Sequence, residues 1–292
     1  MKNSNITDNV QPVEQSMDWE ESQKLVNQYF DSESVFWKEI YQDKNNVYSV
    51  IHQQRQEITL HFFDGLNLSK DSRILEIGCG AGLITTAIAR RGYKIEALDS
   101  VQAMIDLTKK HAKELNLEHL IEAKVSDINA LPYPDNSLDA IITLGVLPWL
   151  PDVKTPLREM SRILKPGGYI ILNVDNRYRL NHLVNPFRMP ALEKPKFVLI
   201  RLLEKSGLRK SSHSPRPKLY RIKEFIEHLD SVNLNVIRQK MFGFGPFGFM
   251  RMELFPGSGG VKVHHFLQRY ADRGFPILRS TGAQTVFLAR KD

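Results

Sequence analysis

The sequence predicts an α/β fold: a mostly parallel sheet with helices on both faces. Two observations carry this. Short apolar runs alternate with helically spaced segments between Arg73 and Val174. That alternation gives a parallel sheet, because two parallel strands need a crossover connection between them. The runs also end in glycines or carboxylates. Arg73 to Ile77 leads into Gly78-Cys79-Gly80-Ala81-Gly82, Lys94 to Leu98 stops at Asp99, and Ile121 to Val125 stops at Ser126-Asp127. Open α/β sheets bind ligands at the carboxyl ends of their strands.

Residues 1–18 are polar, lack the apolar core of a signal peptide and read as a disordered leader. Residues 19–65 follow as an N-terminal helical cap, with Trp19, Tyr29, Phe30, Phe36, Trp37 and Tyr41 spread through it and Asp31 and Ser34 as caps between segments. The α/β domain occupies residues 66–292. After the glycine loop, Leu83, Ile84, Ala87 and Ile88 mark a helix closed by Gly92. Val101, Met104, Ile105, Thr108 and Ala112 mark the next helix, and Leu138 to Leu144 is a fourth strand. A helix from Val153 to Leu164 stops at Lys165-Pro166-Gly167-Gly168, before a fifth strand from Tyr169 to Val174. Residues 177–218, rich in proline and carrying the basic amphipathic stretch Lys196 to Lys210, read as an insertion. A helix near Tyr220 to Leu229, a strand near Val232 to Met241, the apolar stretch Phe242 to Met250, a helix from Val261 to Asp272 and a strand from Ala283 to Ala289 complete the chain.

Composition narrows the function classes. The single cysteine, Cys79, excludes a disulfide framework and a cysteine-based zinc site, and no metal site is expected. This usage suits a reducing compartment, and a cytoplasmic protein is expected. No apolar run approaches the roughly 18 residues of a membrane span. The net charge of +7 permits an anionic partner, but a solvated surface is the favoured reading.

Three glycines at a strand-to-helix turn let backbone approach a ligand. The loop reads Glu-x-Gly-x-Gly-x-Gly from Glu76 to Gly82, not the Gly-x-Gly-x-x-Gly of a dinucleotide fold. An acid immediately before the turn opposes a pyrophosphate and suits a ligand carrying an ammonium and a sulfonium. Asp99 can accept both hydroxyls of a ribose. Asp127 lies within reach of an adenine amino group, with capping of its own turn as the alternative.

Ile74 to Gly82, Asp99, Ser126-Asp127-Ile128 and Leu164 to Gly168 resemble successive motifs of class I S-adenosylmethionine-dependent methyltransferases. The resemblance covers Asp71 to Val174 well. It implies a Rossmann-like sheet of seven strands with the last antiparallel, and S-adenosyl-L-methionine as cofactor. It puts Gly78, Cys79, Gly80 and Gly82 against the methionine moiety, with Glu76 near its ammonium. Asp99 would hold the ribose, Ser100 and Met104 would flank the adenine, and Ser126, Asp127 and Ile128 would meet its edge. Leu144 and Gly145 would sit beside the sulfonium.

The acceptor side is less defined. Where the fourth strand ends, the chain reads Leu144-Gly145-Val146-Leu147-Pro148-Trp149, with no Asn-Pro-Pro-Tyr motif. Trp149 stands where small-molecule members of the family often carry a histidine. These features favour a small, hydrophobic or aromatic acceptor, O-methylation over N-methylation, and direct displacement. Candidates on that side are His213, Tyr220 and Asp175 for catalysis, with His52 as a further one. Tyr29, Phe30, Trp149 and Phe247 are candidates for acceptor contact. His264 falls at the boundary of its helix's polar face, and His111, His119, His228 and His265 read as surface residues. Phe242 to Met250 and the basic stretch raise peripheral contact with a membrane surface. A nucleic-acid methyltransferase gripping phosphate with the insertion, and a non-catalytic protein that only binds the cofactor, are the competing readings; no nucleic-acid partner is expected.

Overall fold

The computed structural model describes residues 19–32, 43–186, 188–192, 195–198, 202, 217–249 and 252–292. The leader, Phe36, Trp37, Tyr41 and His213 lie outside them, as does the side chain of Phe30.

β1 (Ile74–Ile77) lies near the middle of the sheet, paired in parallel with β2 (Ile95–Asp99) and β4 (Leu138–Thr143). All four β1 residues are buried, as a strand covered on both faces must be. β3 (Ile121–Val125) extends one side, and β5 (Leu164–Asn176) the other. β10 (Gln284–Lys291) runs antiparallel between β5 and β7 (Leu234–Phe242). The order is β3-β2-β1-β4-β5-β10-β7, and the short β6 (Leu219–Tyr220) adds to it by pairing with the end of β5.

Side chains alternate between two cores, as a pleated sheet requires. Leu75, Ile141 and Phe287 pack with Leu157 and Met160 of α5 (Lys154–Ile163) and Phe225 of α7 (Ile222–Asp230). Ile74, Ile142 and Val286 pack with Phe62 and Phe63 of α2 (Val47–Asp64) and with Ile84 and Ile88 of α3 (Leu83–Ala89). α4 (Gln102–Glu114) covers β2 and β3, and the short α6 (Leu180–Leu183) follows β5.

Among its described residues the N-terminal helical region holds α1 (Trp19–Ser32) and α2, and Asn46 caps α2 by accepting from Tyr48 N at 2.8 Å. Asp31 falls within α1, and Ser34 lies outside the described residues. Two boundaries differ from expectation. β5 begins at Leu164 and includes Lys165-Pro166-Gly167-Gly168. The pairing with β4 shifts register there, which relieves Pro166 of a donor it does not have. The apolar stretch Phe242 to Met250 forms no single element. Phe242 ends β7, a turn follows, and β8 (Gly248–Phe249) pairs with β9 (Met252–Glu253).

His264, on α8 (Ser258–Asp272), is fully buried, not at a face boundary. Its Nδ1 accepts from Phe244 N at 3.1 Å, and Gln268 Oε1 accepts from Gly243 N at 3.1 Å. The buried turn amides need these acceptors. Among the described residues, no helix is long and apolar enough to cross a membrane.

Candidate active site

A cavity of about 440 Å³ lies at the carboxyl ends of the strands, within the usual range for small-molecule sites. The glycine loop forms one wall. Gly78 N and Cys79 N both donate to Leu98 O, at 2.7 and 3.0 Å, which ties the loop to β2. Gly78 has φ 75°, and a Cβ there would lie 2.0 Å from Val146 Cγ2. Gly80, at φ 53°, differs: a Cβ would meet nothing within 4 Å, so bare backbone faces open space. Gly82 N-caps α3, and Cys79 is a buried thiol that burial pushes well above its ordinary pKa.

Asp99 Oδ2 accepts from Gly80 N at 2.9 Å, and Oδ1 accepts from Val101 N at 3.0 Å. The carboxylate thus shapes the loop, and each oxygen keeps a second acceptor position for a ribose hydroxyl. Burial pushes its pKa up, and the backbone amides pull it back. Glu76 is buried and accepts from Thr85 Oγ1. Burial pushes its carboxyl up to about 8, against the Thr85 hydrogen bond and with a smaller upward push from Asp99. A buried acid so perturbed suits a neighbouring cation, such as the ammonium of S-adenosylmethionine.

Ser100, Met104, Ser126, Asp127, Ile128, Leu144 and Gly145 all line the same cavity. Asp127 also performs the turn-capping role, because its Oδ1 accepts from Asn129 N at 2.9 Å and Nδ2 at 2.8 Å. Ser100 Oγ donates to Asn27 Oδ1 at 2.9 Å and so joins the end of β2 to α1. Glu76, Asp99, the open face at Gly80 and the apolar flank of Met104 and Ile128 fit S-adenosylmethionine.

The other end of the cavity is lined by Tyr48, His52 and Arg55 of α2, with Trp149, Asp175 and Gln284. His52 Nδ1 lies 2.8 Å from Tyr48 O, and the two rings are 4.4 Å apart. Burial and the Arg55 charge push His52 down to about 3. Asp175 Oδ2 accepts from Arg179 Nη2 at 3.0 Å. The guanidinium of Arg55 sits against Gly145: a Cβ there would be 3.0 Å from Nη1 and 3.4 Å from Nη2. The sequence reading nominated Trp149, Asp175 and His52 but missed Tyr48 and Arg55. Their i, i+4, i+7 spacing with His52, on a helix otherwise rich in apolar residues, was the available signal.

Three nominations are corrected. Tyr220 lies in the core, its ring 5.2 Å from that of Phe225 and its hydroxyl donating to Leu147 O at 3.4 Å, and it does not line the cavity. Phe247 is also absent from the cavity wall. The turn after β7, held on α8 by His264 and Gln268, leads it to the β8–β9 hairpin, where its carbonyl accepts from Leu254 N at 2.9 Å. Tyr29 is not itself at the wall; it stacks on Trp149, which is.

The family model described as a methyltransferase domain matches residues 75–172. Over 108 residues the chain is 30% identical to the ubiquinone biosynthesis O-methyltransferase of Coxiella burnetii (strain Dugway 5J108-111). That match covers 37% of this chain and 45% of the relative, so the chain spans less than half of the relative's length. Among solved structures, magnesium protoporphyrin IX methyltransferase from Synechocystis PCC 6803 with bound SAH is similar, with a TM-score of 0.61 and 16% identity over 92% of this chain and all (100%) of that one. The [4+2]-cyclase SpnF is similar at a TM-score of 0.58 and 17% identity, over 91% of this chain and 94% of that one. At these identities the structures speak to the fold alone. The segment that matches the methyltransferase domain model, residues 75–172, thus contains Glu76, Asp99 and Asp127 of the cavity wall.

Proposed function

We propose that the protein is an S-adenosylmethionine-dependent O-methyltransferase acting on a small, partly apolar acceptor. One observation carries this reading: a single cavity joins the cofactor wall of Glu76, Gly80 and Asp99 to a second end lined by Tyr48, His52, Arg55, Pro148, Trp149 and Asp175. Bound there, the cofactor supplies an electrophilic methyl group on sulfonium. The chain's own part is positioning. The glycine loop and Asp99 fix one reactant, while Trp149 and α2 hold the other and displace water from the line of attack. Oxygen as the acceptor atom is supported by the similarity to the Coxiella O-methyltransferase over the shared segment.

The fold alone does not dictate methyl transfer, since a cyclase shares it. The test is incubation with methyl-labelled S-adenosylmethionine and a metabolite extract, followed by mass spectrometry. An oxygen-linked methyl in a small product is the expected result. Label confined to RNA or to a nitrogen-linked product would overturn the reading, and cofactor binding without any product would leave only a binding protein.

A further inference from the structure

We propose that Gln23 of α1 selects the base of the cofactor, its Oε1 accepting a hydrogen bond from the 6-amino group of the adenine. The inference concerns the cofactor end of the cavity and holds whatever atom receives the methyl group.

Gln23, Val26 and Asn27 bring α1 to the cavity wall. Their i, i+3, i+4 spacing puts them on one helix face. Asn27 Oδ1 accepts from Gln23 Nε2 at 2.8 Å and from Ser100 Oγ at 2.9 Å. This chain of bonds ties Gln23 to Ser100, the residue after Asp99. It also orients the Gln23 amide. The nitrogen is turned to Asn27, and the oxygen is buried with no hydrogen-bond partner. A buried acceptor left in that state costs free energy, and a donor on a ligand removes the cost.

Matching donors to acceptors picks out the group that supplies it. S-adenosylmethionine carries donors at its ammonium, its two ribose hydroxyls and its 6-amino group. Glu76, at the β1 end of the wall, suits the ammonium. Asp99 Oδ1 and Oδ2 each hold one backbone N–H and keep one further position, which together suit the two hydroxyls. The amino group has two N–H bonds and faces Asp127. Asp127 Oδ1 already accepts from Asn129 N and Nδ2, at 2.9 and 2.8 Å, which leaves Oδ2 for one of them. Gln23 Oε1 takes the other. Among the described side chains of the wall, the other buried oxygen without a partner is Gln284 Oε1, which lies across from Asp175 at the acceptor end. A hypoxanthine base carries a carbonyl oxygen in place of the amino group, and so sets acceptor against acceptor at Gln23. A site built to receive a donor rejects an analogue that lacks it.

The test is titration calorimetry of the full chain with S-adenosylhomocysteine and with its inosine counterpart, S-inosylhomocysteine. The parent should prefer the adenine form about fivefold or more, as one hydrogen bond of ordinary strength requires. Gln23→Met should weaken S-adenosylhomocysteine about fivefold and shrink the preference by about the same factor. Gln23→Glu keeps an acceptor in place while losing the bond to Asn27, so it should retain the preference. Equal weakening of both ligands in Gln23→Met shows that Gln23 only holds Asn27, and overturns the proposal. A parent indifferent between the two ligands overturns it as well, as does a Gln23→Met protein that binds as the parent does. Loss of the preference in Gln23→Glu too assigns it to the docking of α1 instead of Oε1, with the same consequence. A parent that binds neither ligand overturns the cofactor site itself, and this inference with it.

Discussion

Tyr29 of α1 stacks on Trp149, with ring centroids 5.6 Å apart and planes inclined by 26°. Two residues earlier, Asn27 accepts from Ser100 Oγ at 2.9 Å. The helix is therefore fastened at two points of the cavity wall, Ser100 and Trp149. A stacked aromatic pair contributes about 0.5–1.5 kcal/mol beyond its burial, and a hydrogen bond of this kind about the same. Asn27→Ala should weaken S-adenosylmethionine about 2- to 10-fold. Tyr29→Ala should leave cofactor affinity within about twofold and act on the acceptor's KM. Titration calorimetry with the cofactor separates the two; equal losses in both variants would contradict this division.

Glu76 gives the cofactor site a pH signature. Without a cation beside it, its carboxyl titrates near 8. An ammonium favours the ionised form and lowers that value, so cofactor binding at neutral pH expels a proton from Glu76. Affinity should rise with pH, by up to about tenfold per unit, until it levels off near 8. Calorimetry in buffers of different ionisation enthalpy counts the released proton directly. Glu76→Gln should bind the cofactor more weakly and lose this slope.

Gly78 is fixed by one neighbour. A methyl group at its Cβ would lie 2.0 Å from Val146 Cγ2, on backbone at φ 75°. Overpacking and an unfavourable φ each cost about 1–3 kcal/mol, so Gly78→Ala should lower stability by several kcal/mol. Val146→Ala removes the clash but not the backbone strain, and the double variant should recover part of the loss in urea unfolding. No coupling between the two substitutions would show that the loop relaxes away from Val146.

The cofactor half of the site was legible because it is local. A strand, a glycine turn and the acid at the end of the next strand sit within one βαβ unit, where spacing translates directly into position. Trp149 and Asp175 were legible for a related reason: each follows or ends a strand at the ligand-binding edge. Arg55 and Tyr48 were not, because their role depends on α2 crossing the sheet to reach Gly145, a tertiary contact that helical periodicity does not encode. The same gap explains Tyr220 and Phe247. Their positions in the chain suggested the acceptor side, yet pairing of β6 with β5 turned the first into the core, and the α8 contacts carried the second to a hairpin.

The buried titratable groups also fix where the protein is most stable. His52, His182 and His264 are held neutral, pushed down to about 3, about 3 and about 4 mainly by burial, against an ordinary 6.5. In the unfolded chain they take up protons below about 6.5, which the folded state does not. Stability from these three is therefore lost as pH falls below that value. Glu76 works in the opposite sense. Its folded pKa of about 8 exceeds the ordinary 4.5, so the folded state holds a proton that the unfolded chain has released, and stability declines as pH rises from about 4.5 to 8. Each proton is worth about 1.4 kcal/mol per pH unit. Below about 6.5 the three histidines outweigh Glu76, leaving a net loss of about 3 kcal/mol per unit of acidification. Above about 7 Glu76 dominates, with a loss of about 1.4 kcal/mol per unit toward about 8. Urea unfolding across this range should thus show a maximum between about pH 6.5 and 7. His264→Gln should flatten the acid limb, and saturating S-adenosylmethionine should flatten the alkaline one, because its ammonium ionises Glu76 in the folded protein. A maximum well above pH 8, or an alkaline limb indifferent to the cofactor, would show that Glu76 is not the group meeting the ammonium.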